Sequence, residues 1–230
     1  MTLHTDRELN HQLEVLRGRL LRMAGLVETM IEDSVRSLME VDVDLARQTI
    51  ARDHQVNRIE VETDEQCLLI IARWQPVASD LRFVTIALKM VTDLERIGDL
   101  AVNICERAID LASRPAIWPW DELREMTRIT RDMVQGSVDA FVKGDAVAAQ
   151  AVIDQDDEVD DLYVQAFQHV LSTMQEHHED LPGGIHALSV IKWLERIADH
   201  ATNLSELVVF MVKGKDIRHM GSQVALGSDR

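Results

Sequence analysis

One stretch occurs twice and constrains everything else in this chain. Leu94 to Glu106 reads LERIGDLAVNICE, and Leu194 to Glu206 reads LERIADHATNLSE. Eight of the thirteen positions are identical at a constant offset of 100 residues. Self-similarity at that spacing marks a duplicated structural unit, so the fold must be one that can be built twice. Within each copy a glutamate and an aspartate stand four residues apart: Glu95 and Asp99, then Glu195 and Asp199. On a helix both carboxylates share a face, one turn apart, where like charges repel by a few tenths, ~0.2–0.5 kcal/mol. Repetition of that cost in both halves points to a cation that offsets it.

The rest of the chain reads as helices. Leu13, Leu16, Leu20, Val27, Ile31, Val35 and Leu38 recur at spacings of three and four, which predicts an amphipathic helix of bundle type from about Asp6 to Glu40. A second helix is expected to about Trp74, stopped by Pro76. A third follows from Asp80 to Ala112, with Ser79 as its N-cap. The two prolines of SRPAIWPW, Ser113 to Trp120, break the periodicity and read as a linker. The pattern then repeats, with helices expected over 121–143, 146–178 and 185–213 and a loop DLPGG before the last. Away from the signature, Ser34-Val35, Asp42, Asp53 and Val56 match Ser137-Val138, Asp145, Asp156 and Val159 at an offset of 103. The fold class is therefore all-α: two tandem antiparallel three-helix bundles related by internal duplication, expected to be joined end to end. Residues 1–114 form the first, and 115–230 the second with a short C-terminal tail.

Composition narrows the function. Aromatic residues make up 4% of the chain and net charge is −16. Such a surface is unsuited to nucleic-acid backbone or an anionic bilayer, and suits cations or a basic protein partner. Cys67 and Cys105 belong to no CxxC pair and lie in apolar helical patterns, as in a reducing cytoplasm. The opening MTLHTDRELN has no apolar signal core, and no apolar run is long enough to span a bilayer.

The second and third helices of the first half form a hairpin about Pro76. Asp53 and Asp99 are each 23 residues from that proline, and Asn57 and Glu95 each 19, so the two pairs should face one another. In the second half Asp156 and Asp160 are set against Glu195 and Asp199, although the turn there, near Leu181, leaves Asp160 farther from it than Glu195. Oxygen-bearing side chains on neighbouring helices suit a hard or borderline metal ion, and the absence of Cys or a His pair from the set argues against a structural zinc site. The competing reading is a solvated acidic face neutralised by Arg96 and Arg196. Asn103 and Asn203, one turn further, are placed to orient ligands or to hydrogen-bond between helices.

Both LERIxD…N signatures, the QPVASDLR turn at Gln75 to Arg82, and the ending VKGKDIRH at Val212 to His219 resemble the PhoU family. The likeness spans the chain in order. It implies two symmetric three-helix bundles, often as a homodimer, with acidic motif pairs that bind metal ions: iron, zinc, nickel, manganese or magnesium. It implies a regulatory role, keeping phosphate uptake and the phosphate-starvation response low through contacts with the ATPase subunit of the phosphate ABC transporter and a sensor histidine kinase. Carried over by position, Glu95, Asp99, Glu195 and Asp199 match the family's acidic motifs, Asp156 and Asp160 complete a DxxxD, and Asn57 departs from an acid. The leading expectation is a non-enzymatic cytoplasmic adaptor. Two alternatives are a carboxylate-bridged di-iron enzyme, for which only Glu8-x-x-His11 offers a motif, and a structural bundle without metal. No Gly-rich phosphate loop supports hydrolysis.

Overall fold

The computed structural model describes residues 2–112, 119–177 and 181–214, the side chains from Arg7 onward. Among these residues there are helices and no strands: α1 (Thr2–Glu40), α2 (Val43–Trp74), α3 (Ala78–Leu111), α4 (Trp120–Lys143), α5 (Ala146–Asp154), α6 (Asp156–Glu176) and α7 (Leu181–Lys213). The division proposed between 114 and 115, the SRPAIW segment and Trp118 lie outside the described residues.

Duplication shows first in the caps. Asp42 accepts a hydrogen bond from the Leu45 amide at 2.9 Å and starts α2. Its counterpart Asp145 accepts from the Val147 and Ala148 amides at 2.9 and 3.0 Å and starts α5. Each satisfies amide groups that the first helical turn leaves without partners. Gly144 closes α4 in the left-handed region, at φ 65°, where a glycine meets no side-chain penalty. Ser34 and Ser137, another duplicated pair, are buried and donate to the carbonyls of Ile31 and Val134, both at 2.8 Å.

Three boundaries differ from the sequence expectation. Val77, extended beside Pro76, is the N-cap of α3, so Ser79 lies inside the helix and caps nothing. The helix expected over 146–178 is divided at Gln155. There the hydrogen bonds tighten to a three-residue spacing, Gln155 to Val152 and Glu158 to Gln155, both 3.1 Å. Asp156, Asp157 and Glu158 gain from standing in a first turn, where the helix dipole favours negative charge. Finally, α7 begins at Leu181, taking in most of the expected loop. Gly184 lies in this first part of α7 close against α6: a Cβ there would stand 2.4 Å from Met174 Cγ and Sδ, so a larger residue would require the Met174 side chain to move.

Helices α1, α2 and α3 pack on one another, as do α4, α7 and the α5–α6 pair. The halves are not joined end to end. They lie side by side, α1 against α4 and α3 against α7, around one continuous apolar core. In α3 and α7 the signature itself explains this. Leu94, Ile97, Gly98, Ala101, Ile104 and Cys105, like Leu194, Ile197, Ala198, Ala201, Leu204 and Ser205, are buried, so each helix buries a face wider than one stripe, enough for its own bundle and for the other. Phe83 and Phe141 stack between the halves with ring centroids 4.7 Å apart. His200 Nδ1 lies 2.9 Å from Asp93 Oδ1, while Leu88 and Lys89 line a groove with Asn203 and Leu207. Earlier residues of α3 thus meet later residues of α7. The two helices run antiparallel, and the closed ends of the two hairpins sit at opposite ends of the molecule.

Candidate metal centre

Helix α2 turns Asp53, Asn57 and Glu60 to one face at spacings of four and three, and α3 brings Glu95 and Asp99 against it. Asp53 packs on the backbone at Gly98, where an added Cβ would stand 3.6 Å from its Oδ1. The register deduced from Pro76 therefore holds. Asn57 Nδ2 donates to Asp53 Oδ2 at 2.8 Å, which leaves Asp53 Oδ1 and Asn57 Oδ1 buried acceptors with no donor. A buried oxygen without a donor is costly unless a cation or water meets it. Burial raises the Asp53 carboxyl above its ordinary value, and Asp99 raises it further. Glu95 is raised by burial, then by Asp99 and Glu60, and the Arg96 guanidinium, 3.8 Å away, only partly offsets this.

Glu60 was absent from the sequence-derived set. It too is raised, by burial first and then by the charge on Asp64. Its signal was there to read, since residue 60 follows 53 and 57 on the same stripe. Its counterpart, at the offset of 103, is Tyr163.

In the second half, α6 carries Asp156 and Asp160 and α7 carries Glu195 and Asp199. Burial pushes Asp156 up to about 6, and Asp199 and Asp160 repel it in the same direction. Among charged groups Glu195 acts most strongly on Asp160, and Asp199 on Asp156. The pairs thus line up across the helices despite the unequal distances from the turn. One cation is built in: Lys192 Nζ stands 2.6 Å from Glu195 Oε1 and 2.5 Å from Oε2. Thr92 occupies that position in the first half.

Each half therefore brings its predicted residues onto facing helices: Asp53, Asn57, Glu95 and Asp99 in one, Asp156, Asp160, Glu195 and Asp199 in the other. As the side chains stand, no three of the His, Cys, Asp or Glu groups among the described residues converge closely enough to hold a metal ion. The donor set is nonetheless all oxygen, its carboxylates repel one another, and two acceptors in the first half lack donors. These properties fit a hard cation. His169 and His200 face carboxylates, Glu122 at 3.0 Å and Asp93 at 2.9 Å, and burial raises both cysteine thiols to about 12. Glu8 and His11 are exposed near the start of α1.

The PhoU domain matches this sequence twice, over residues 20–108 and 123–208. A phosphate-specific transport system accessory protein PhoU homolog from Pseudomonas putida is 40% identical, with 96% of this chain and 87% of that protein covered. The phosphate-specific transport system accessory protein PhoU of Escherichia coli is 35% identical over 95% of this chain and 90% of its own length. The crystal structure of PhoU from Pseudomonas aeruginosa superimposes with a TM-score of 0.85 at 39% identity, covering 90% of this chain and 99% of that one. Duplicated signature, fold and sequence relatives agree: the chain belongs to the PhoU family.

Proposed function

We propose that this chain is a non-enzymatic regulatory accessory of a phosphate-uptake system, acting in the cytoplasm and binding cations on its two sets of paired acids. The observation that carries the proposal is the recurrence, in both halves, of mutually repelling carboxylates on facing helices. An oxygen-only set favours magnesium, manganese or ferric iron over zinc or nickel. Asp53, Glu95 and Asp99, with Glu60 beside them, would hold a cation in the first half. Asp156, Asp160 and Asp199 would do so in the second, where Glu195 is shared with Lys192. A bound cation supplies charge neutralisation there. Asn57 contributes by donating to Asp53, which fixes one oxygen and leaves the other free.

The relatives are named as accessory proteins of phosphate-specific transport, and this supports the uptake-linked role. Restraint of uptake and of the starvation response would pass through contacts with the importer ATPase and a sensor histidine kinase, with the protein as a homodimer. His169 and His200 are engaged by carboxylates and both thiols are held protonated, which favours an adaptor over an enzyme. Among the described residues no helix is long and apolar enough to cross a membrane.

Gene replacement tests this reading. Deletion should raise phosphate-scavenging gene expression in phosphate-rich medium. The wild-type chain should restore repression, and a variant with Glu95→Gln, Asp99→Asn, Glu195→Gln and Asp199→Asn should not. Normal repression in the deletion strain would contradict the proposal.

A further inference from the structure

Three exposed apolar residues recur in both halves although the fold does not use them. Val61 and Leu68 on α2 are 56% and 63% exposed, and their counterparts Val164 and Leu171 on α6, at the offset of 103, are 51% and 38% exposed. Leu81 on α3 and Leu181 on α7, at the offset of 100, are 38% and 44% exposed. Residue type is the same within each pair, so the duplication has kept a feature that core packing does not require. Residues seven apart share a helix face, so Val61 with Leu68, and Val164 with Leu171, each form a stripe along the outside of a hairpin. Exposed acids flank each stripe: Glu62 and Glu65 between Val61 and Leu68, Asp161 one turn and Asp157 two turns before Val164, with the exposed Arg58 the one base a turn before Val61.

We propose that the outer faces of the α2–α3 and α6–α7 hairpins are a duplicated docking surface for a partner protein that lays a basic amphipathic helix along each stripe. Its apolar side chains would cover Val61, Leu68 and Leu81 in the first half and Val164, Leu171 and Leu181 in the second, while its lysines and arginines meet the flanking acids. Charge complementarity selects this occupant. The exposed acids along the stripes favour a basic occupant, and an anionic bilayer would bring like charges together. The closed ends of the hairpins lie at opposite ends of the molecule, so a partner engaging both must present its helix twice. The inference rests on the adaptor reading and adds the chemistry of the partner.

The test uses the full chain and a fluorescein-labelled synthetic helix of about 18 residues, with leucines on one face and lysines elsewhere. Fluorescence anisotropy should show binding that weakens about tenfold in Leu68→Gln/Leu171→Gln and is unchanged in Val147→Gln, a more exposed apolar control off the stripes. A leucine–glutamate helix should not bind. Equal affinity of the lysine helix for wild type and the double variant overturns the proposal. So does a wild-type dimer in sedimentation that the double variant converts to monomer, or flotation with phosphatidylglycerol vesicles that the double variant abolishes. Metal content should be unchanged in Leu68→Gln/Leu171→Gln, so failure of docking is distinguishable from failure of the cation sites.

Discussion

Lys192 Nζ lies within 2.6 Å of both carboxylate oxygens of Glu195, where the first half has Thr92 instead. A tethered ammonium therefore occupies one acid of the second set and leaves the first set to external cations. Lys192 is 49% exposed, so the pair contributes no more than about 1 kcal/mol to folding. For metal binding it acts as an internal competitor. Lys192→Gln should raise manganese affinity of the second half by about fivefold, the equivalent of ~1 kcal/mol, with little change in melting temperature. Titration calorimetry on a Glu95→Gln/Asp99→Asn background isolates that half, and unchanged affinity would contradict the competition.

The acids also set the pH response. Asp156 stands at about 6 against an ordinary 3.8, with Asp53, Glu60 and Glu95 displaced the same way. The native state then holds more protons than the unfolded one between those values. Stability of the metal-free protein should rise as pH falls through about 6, and the gain is complete below the unfolded value. For Asp156 the contribution is on the order of 1–3 kcal/mol. Excess manganese should stabilise the protein most where the carboxylates are charged, reversing the trend. Melts in EDTA and in manganese between about pH 4 and 8 check this. A metal-free protein more stable at the alkaline end would contradict it.

Gly98 is the position at which the two LERIxD copies differ beside the acids, since its counterpart is Ala198. A Cβ at Gly98 would meet Val56 Cγ1 at 3.5 Å and Asp53 Oδ1 at 3.6 Å, both ordinary contacts. Gly98→Ala should stabilise the protein by about 0.5–1 kcal/mol through the helix interior. Urea unfolding reads this directly, and a loss of stability would mean that Asp53 needs the open backbone.

Much of this organisation was readable beforehand. The duplicated signature gave the repeat, and Pro76 gave the register that sets Asp53 against Asp99. The acidic pairs were visible because spacing of four is a local property. The side-by-side packing was not, because α3 buries Gly98 and Cys105 beside the stripe of Leu94 and Ala101, and periodicity counts only one buried stripe. Nor was the break at Gln155, where neither proline nor glycine marks the change and the acids that follow favour a helix start as well as a helix interior. Lys192 was overlooked for a related reason: it lies three residues before Glu195, outside the copied motif.

Packing between the halves makes Phe141 a test of their union. It is 1% exposed and stacks on Phe83 of the other half. Phe141→Ala should cost about 3–5 kcal/mol and loosen both bundles together in a single transition. Two separate transitions in wild-type protein would contradict a shared core.

Elemental analysis after equilibration with manganese tests the cation sites most directly, on wild type, on Glu95→Gln/Asp99→Asn, on Glu195→Gln/Asp199→Asn and on the four-fold variant. Each double variant should lose the metal of its own half with the helical signal intact, and the four-fold variant should retain none. Wild-type metal content in the four-fold variant would show that these carboxylates are a solvated face and hold no ion.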